Sequence, residues 1–452
     1  MNIGVIHYKV GGTDGVSLEI EKWKQVLEEL GHTVHLCGGD LGKAEGTLIE
    51  ELYHHREDAQ RLNYNTFKEL RDYPTEAAYR EELYSLADAI EEQLRAFIAE
   101  KEIGFLIPEN VWCVAASPSV AIAVTRVMRE YQLPALAHNH DFYWERTAGV
   151  ALTCGAAIEL AQKYLPPRDP LARHTVINSL GKRQLWERLG IKSTIVPNVF
   201  DFQGAGWEPD EYNSDFRARI GLQESDIFIL QATRIVSRKG IELAVDFIKA
   251  LDTPARRAIL QERRLYDGRA FDEDSRIVLV LAGYTQDDQT GYTPRLKRKI
   301  EQAGIDALFI EDLVAGQRQT RAGEKIYSLW DTYVHADFVT YPSLWEGWGN
   351  QLLEALRAKL PILLYEYPVY LADIQESGLD VVSLGSEVTG YDEWGLAQVA
   401  PATIAAAADE AVELLTNGAR YRQVVEHNFA VGQERYSPEA LRGYLEPLVG
   451  KA

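Results

Sequence analysis

Two glutamates, Glu346 and Glu354, stand with seven residues between them in the stretch YPSLWEGWGNQLLEAL, residues 341 to 356. A Gly-Trp-Gly-Asn turn lies between them. The glycines leave backbone N–H groups bare, and a helix starting there would add the positive end of its dipole. Such a corner suits a ligand rich in hydroxyls and phosphate. A second chemical cluster is HNHDFYWER, where period-two alternation puts His138 and His140 on one side of a strand and Asn139 on the other. A third is Arg234 with Lys239 in TRIVSRKG, a local basic cluster of the kind two phosphates need.

The elements that would hold these groups alternate regularly. Asn2 to Tyr8 reads as a strand, Val10 to Gly15 as a Gly-rich loop containing Gly11 and Gly12, Val16 to Leu30 as a helix, and Thr33 to Leu36 as a strand. That opening argues for a βαβ unit and a parallel sheet. The loop KVGGTDG is not GxGxxG, so the dinucleotide fingerprint is absent. Residues 43 to 102 form a helical excursion, and from Glu45 to Glu102 it carries fifteen acidic residues against seven basic ones. Strands resume at Ile103 to Ile107 and Ala135 to His138, and the histidine cluster follows the second of these. Ligands in open α/β sheets collect beyond such carboxyl ends.

A new alternation begins near residue 200, after IVPNVFD and the Gly- and Pro-rich FQGAGWEP. Ile227 to Ala232 is a strand feeding Thr233 and Arg234, and Ile277 to Ala282 is a strand ending at Gly283. FVTYPS is a strand entering the glutamate corner, and Leu352, Leu353, Leu356 and Ala358 carry helical spacing behind it. The division expected is a first domain over 1–199, a second over 200–425, and a C-terminal helix over 426–452 that crosses back to the first.

At 452 residues the chain exceeds one hydrophobic core. Its 47 basic and 68 acidic residues give a net charge of −21. That field repels nucleic acid and anionic lipid, so neither is an expected partner. Cys37, Cys113 and Cys154 lack metal-ligand spacing and suit reduced thiols. No apolar run approaches the roughly 18 residues of a membrane span. The expectation is a cytoplasmic protein without stable membrane insertion, with homo-oligomerisation left open.

Glu-x7-Glu inside an EGxG turn after Pro-Ser resembles the signature of the retaining glycosyltransferases of family 4. The resemblance covers nearly the whole chain and is most specific over 227–240 and 338–358. It implies the GT-B fold: two Rossmann-like, doubly wound parallel-sheet domains facing across a cleft. IVPNVFD is similar to the family's interdomain Pro-Asn-Gly-Val-Asp, with Val199 and Phe200 replacing Gly and Val.

The roles that follow are those the resemblance implies. Glu354 binds the ribose hydroxyls of a nucleoside-diphosphate sugar. Glu346 and the amides of Gly347, Trp348, Gly349 and Asn350, with Gln351 beside them, hold the sugar. Gly283 receives the base, Gly11 and Gly12 approach the donor phosphates and the acceptor, and Arg234 and Lys239 stabilise the leaving diphosphate. His140 sits beside the transferred sugar with Asp141, His138 being the register-shifted alternative. Asp141, Tyr143, Trp144 and Arg146 serve the acceptor. The implied reaction moves a hexose, from GDP-mannose or UDP-glucose, to a hydroxyl of a small soluble acceptor such as a sugar or glycerate derivative. It retains anomeric configuration and requires neither a metal nor another cofactor. The turn EGWGNQ and the cluster HDFYWER are similar to members that glycosylate small organic acids or sugars. Two other classes stay open: a non-hydrolysing nucleotide-sugar epimerase and a non-catalytic nucleotide-sugar-binding protein.

Overall fold

The computed structural model describes residues 1–12, 14–145, 149–285 and 291–450. It divides into two compact units, one formed by residues 1–199 with the C-terminal segment from Pro438, the other by Phe200–Ser437. The helix Gly418–Tyr436 lies within the second unit, and only Pro438–Val449 returns to the first. The return thus comes twelve residues later than the expected 426. The reason is that Tyr421, Val424 and Val425 are buried in the second unit, whereas Leu441 and Leu445 join the core of the first.

The first unit is built on a seven-stranded parallel sheet. Its strands are β1 (Asn2–His7), β2 (Thr33–Gly38), β3 (Thr47–Leu48), β4 (Phe105–Pro108), β5 (Ala135–Asn139), β6 (Ala172–Val176) and β7 (Ser193–Ile195). Their order is β3-β2-β1-β4-β5-β6-β7. Alternation assigns the faces. Ile3, Val5, Phe105, Ile107 and Leu136 join one core, with Trp23 and Leu27 of the helix Gly15–Glu29. Ile6, Tyr8, Leu106, Ala135 and Ala137 join the other, with Leu83, Ile90 and Leu94 of the long helix Glu76–Glu100. The helical excursion therefore covers one face of this sheet.

The second unit repeats the plan. After β8 (Ile227–Gln231), β9 (Ile277–Leu281) and β10 (Asp306–Phe309) comes a small sheet of β11 (Val314–Ala315), β12 (Gln319–Arg321) and β13 (Glu324–Ser328). The main sheet resumes with β14 (Phe338–Tyr341), β15 (Ile362–Leu364) and β16 (Val382–Ser383), in the order β10-β9-β8-β14-β15-β16 and parallel throughout. Four of these six strands are buried along their whole length, as expected of a sheet covered on both faces.

In each unit the strand order reverses beside the first strand, between β1 and β4 and between β8 and β14. Such reversals open a crevice at the carboxyl ends. Among the described residues no helix is long and apolar enough to cross a membrane.

Gly283 marks how closely two of these ends approach. A β-carbon there would sit 1.9 Å from the Thr233 carbonyl oxygen. Gly283→Ala should therefore lower stability by about 1–3 kcal/mol through overpacking. Gly443→Ala, in an exposed helical position with open space around it, should be neutral or stabilising by up to about 1 kcal/mol. Denaturant midpoints would check the pair, and equal effects would contradict the argument.

Candidate functional site

The glutamate corner of the second unit is assembled by two loops at the switch point. After β8, Ser237–Lys239 makes a short 3₁₀ turn closed by Gly240 at φ +57°, where a β-carbon would meet the Pro342 carbonyl at 2.4 Å. The Leu344 amide donates to the Arg238 carbonyl at 2.9 Å, joining this loop to the one after β14. Between them lies Glu346, only 7 % exposed. One oxygen accepts from Arg238 Nη1 at 2.9 Å, and the other takes a hydrogen bond from Lys239 Nζ. Burial alone would raise the Glu346 pKa, but Lys239 and Arg238 outweigh it and hold the carboxylate low. The Lys239 ammonium is pulled down, first by burial, against the pull of Glu346 and with the repulsion of Arg238 and Arg234. Two cationic side chains thus hold one buried carboxylate, with Arg234 in electrostatic reach of Lys239.

The turn behind Glu346 depends on glycine. Gly349 has φ +140°, and a β-carbon there would sit 2.3 Å from the Tyr367 hydroxyl, which donates to the Trp348 carbonyl at 2.7 Å. The helix Asn350–Arg357 starts at once. The Trp348 ring is buried edge-on against Tyr436. Its position therefore offers a ligand its backbone and not its indole. Buried polar atoms gather here without a hydrogen bond of good geometry among the described residues: the Tyr341 hydroxyl and Ser343 Oγ, both beside Glu346, and both ends of the Gln351 amide, beside Tyr333. Such groups are costly unless something hydrogen-bonds them. Glu354, half-buried on the helix, accepts from the Tyr333 hydroxyl at 2.7 Å. Tyr333 is placed by the helix Leu329–His335, whose start is fixed by a reciprocal Ser328–Asp331 capping box. Arg234 lies just past β8, and Gly283 just past β9.

The first unit carries its own carboxylate at the corresponding place. Glu109 follows β4 directly and is 1 % exposed. Its two oxygens meet His138 Nδ1 at 3.0 Å and His140 Nε2 at 2.7 Å. His138 is fully enclosed and stacks on Trp23 at 4.1 Å between ring centroids, whereas His140 is 8 % exposed. Burial lowers the His138 pKa and defeats the pull of Glu109. At His140 burial also opposes charge, but the hydrogen bond and charge of Glu109 prevail and the pKa rises. Burial would raise Glu109, yet the two imidazoles hold it at about 2. The trio therefore reads as a Glu109–His140 ion pair with a neutral His138 beneath it. His7 Nδ1 approaches the Glu109 carbonyl at 2.7 Å, and the His140 amide donates to the Asn110 side chain at 3.1 Å.

Among the described residues this trio is the group whose donor atoms converge, within 4.8 Å of one another. Two imidazoles and a carboxylate can suit a divalent transition metal. Here both carboxylate oxygens are already engaged by imidazole nitrogens. Gly11, at φ +65°, packs against the Leu41 carbonyl, and a β-carbon at Gly12 would sit 2.8 Å from Lys9 Cε. Asp141 is half-buried beside His140. Tyr143 and Trp144 are held by their own unit: Tyr143 stacks on Phe67, and Trp144 stacks on Phe142 while donating to Gln184. Arg146 lies outside the described residues. Arg238, Tyr333 and Glu109 join these two clusters although sequence reasoning does not single them out. Arg238 adjoins Lys239 in the chain, but the partners that single out all three come from distant segments.

The Glu109–His140 pair predicts a pH signature. His140's raised pKa contributes stability that is complete below 6.5 and lost as pH rises through its folded value. Glu109's contribution is complete above 4.5 and lost as pH falls toward about 2. The melting-temperature gap between wild type and Glu109→Gln should be widest between pH 4.5 and 6.5 and narrow above it. A gap independent of pH would rule out the charged pair.

Residues 213–377 match the family Glycosyl transferases group 1. The chain is 37 % identical over 390 residues to the mannosylglucosylglycerate synthase of Petrotoga mobilis, covering 86 % of this chain and 87 % of that one. It is 35 % identical over 447 residues to the enzyme of the same name from Thermotoga maritima, covering 98 % and 99 %. A solved glycosyltransferase structure from Rickettsia africae superimposes with a TM-score of 0.59 at 14 % identity, over 99 % of this chain and 97 % of that one, a likeness of fold. The fold is GT-B, and the chain is a glycosyltransferase belonging to the family of these mannosylglucosylglycerate synthases.

Proposed function

We propose that the chain moves a mannosyl group from GDP-mannose to a hydroxyl of glucosylglycerate, with retention at the anomeric carbon and without a metal. The observation that carries this is the buried Glu346 flanked by Arg238 and Lys239, with Arg234 in electrostatic reach, at the switch point of the second unit. The names of the two relatives supply the sugar and the glycerate.

Glu354 takes the ribose hydroxyls, since a carboxylate accepts two such bonds side by side, and Tyr333 fixes the carboxylate's orientation. Glu346 and the backbone of the glycine turn take the sugar hydroxyls, and the buried Gln351 amide supplies further donors and acceptors. Gly283 leaves room for the base. Arg234, Arg238 and Lys239 stabilise the charge that grows on the leaving diphosphate. Electrostatic stabilisation of this kind typically lowers the barrier more than any other single effect. With three cations in that role no metal is required. The leaving phosphate takes the acceptor proton, so no protein general base is named. His140, held charged by Glu109, serves the transferred sugar. Gly11, Gly12 and Asp141 serve the acceptor, and the reaction is placed in the cytoplasm.

GDP should raise the melting temperature more than UDP or ADP, and Glu354→Ala should abolish the rise. No shift with any nucleotide would remove the phosphate-site assignment. Arg234→Ala and Lys239→Ala should each lower kcat by about 10²–10³. NMR of the product should show the donor's anomeric configuration, and turnover should survive EDTA. An inverted product or loss of activity on chelation would refute the corresponding part of the mechanism.

A further inference from the structure

A lysine with neutral histidines around it sits in the first unit, just past β1 and apart from Glu109. Lys9 lies in the loop that precedes Gly11 and Gly12. Its side chain runs over Gly12: a β-carbon there would meet Lys9 Cε at 2.8 Å and Asp14 Oδ2 at 2.9 Å. Asp14 is itself committed as the cap of the helix Gly15–Glu29, accepting from the Ser17 amide at 3.0 Å and from the Ser17 hydroxyl at 2.8 Å. Among the described residues no carboxylate lies within ion-pair distance of the Lys9 ammonium, although its charge helps hold the nearby Asp14 carboxylate low, in a chain carrying a net charge of −21.

Across from this loop stands His54. Its ring packs on Tyr8 at 5.3 Å and on His55 at 4.0 Å, and it lies in electrostatic reach of His7, Lys9 and Asp14. Its Nδ1 is buried with no hydrogen-bond partner among the described residues. Burial lowers its pKa to about 4, so at neutral pH the ring is an uncharged hydrogen-bonding group. His7 joins this cluster to the Glu109 carbonyl and so to the His140 side of the sheet.

We infer that Lys9 and His54 form the subsite that recognises a carboxylate on the acceptor. The inference rests on the glycosyltransferase reading above and adds the group by which the acceptor is read. Charge favours a carboxylate over the donor diphosphate. The second unit already gathers Arg234, Arg238 and Lys239 for two phosphates, whereas one lysine with one neutral imidazole matches a single negative charge. The position suits an acceptor too, because His7 bridges the cluster to the ion-paired His140.

The test compares glucosylglycerate with glucosylglycerol, the same sugar without the carboxylate, at saturating GDP-mannose. Lys9→Met should raise KM for glucosylglycerate about 10- to 100-fold, the loss expected for one charge-assisted contact. KM for the donor and turnover of glucosylglycerol should stay unchanged. His54→Phe, which keeps the ring on Tyr8, should show the same acceptor-only penalty, and Lys9→Arg should restore part of the wild-type KM. A penalty on the donor, an equal penalty on both acceptors, or none would overturn the inference. If the wild type glycosylates neither acceptor, the substrate proposal fails on its own. The carboxylate site is then read by NMR titration with glycerate and glycerol. A His54 ring shift with glycerate alone, lost in Lys9→Met, supports the site, and its absence overturns it.

Discussion

Each half of this protein is organised around one buried carboxylate shared by two bases. In the first unit it is Glu109 between His138 and His140, and in the second Glu346 between Arg238 and Lys239. Removing one member of a buried pair typically costs about 3–5 kcal/mol, because the survivor is left charged and dry. The loops that carry these groups are therefore fixed by their electrostatics as much as by packing. In both units the carboxylate follows the strand next to the reversal of strand order. Helices cover the sheet faces there but leave the strand ends open. The same topology generates the crevice and places the charges in it.

This arrangement reconciles an acidic protein with an anionic ligand. A field of many surface carboxylates would oppose a diphosphate at long range, but salt screens it within about 8–10 Å. Close in, the potential is set by buried groups, where screening is weak. Glu346 holds the cations in position, and Lys239 is destabilised as a charge by burial and by two arginines, a strain that a phosphate bound as proposed would relieve. The free protein thus holds its cations in a geometry preorganised for a ligand's charge, at some cost in its own stability.

The parts legible in the sequence were those with local signatures. Continuous apolar strand runs, Gly turns and the spacing of Leu352, Leu353 and Leu356 located both sheets and the glutamate corner. Alternation also put His138 and His140 on one side, and both meet Glu109. Glu109 itself was invisible because its significance comes from partners 29 and 31 residues away on another strand. Tyr333 lies 21 residues from the carboxylate it orients and carries no periodic mark. The indole of Trp348 is buried edge-on against Tyr436, so this position offers a ligand the backbone amide that the resemblance implies. Pairings between strands are fixed by topology, which spacing along one strand does not encode.

The late return of the chain bears on how the protein is made. The second unit, Phe200–Ser437, is continuous and can complete its core as soon as it leaves the ribosome. The first unit begins earlier yet is unfinished until Leu441 and Leu445 have been synthesised, since both belong to the core beneath Trp23 and Leu27. The half translated first is thus the half completed last. Emergence of the segment from Pro438, rather than of the N-terminal strands and helices, sets the moment at which this unit closes its core.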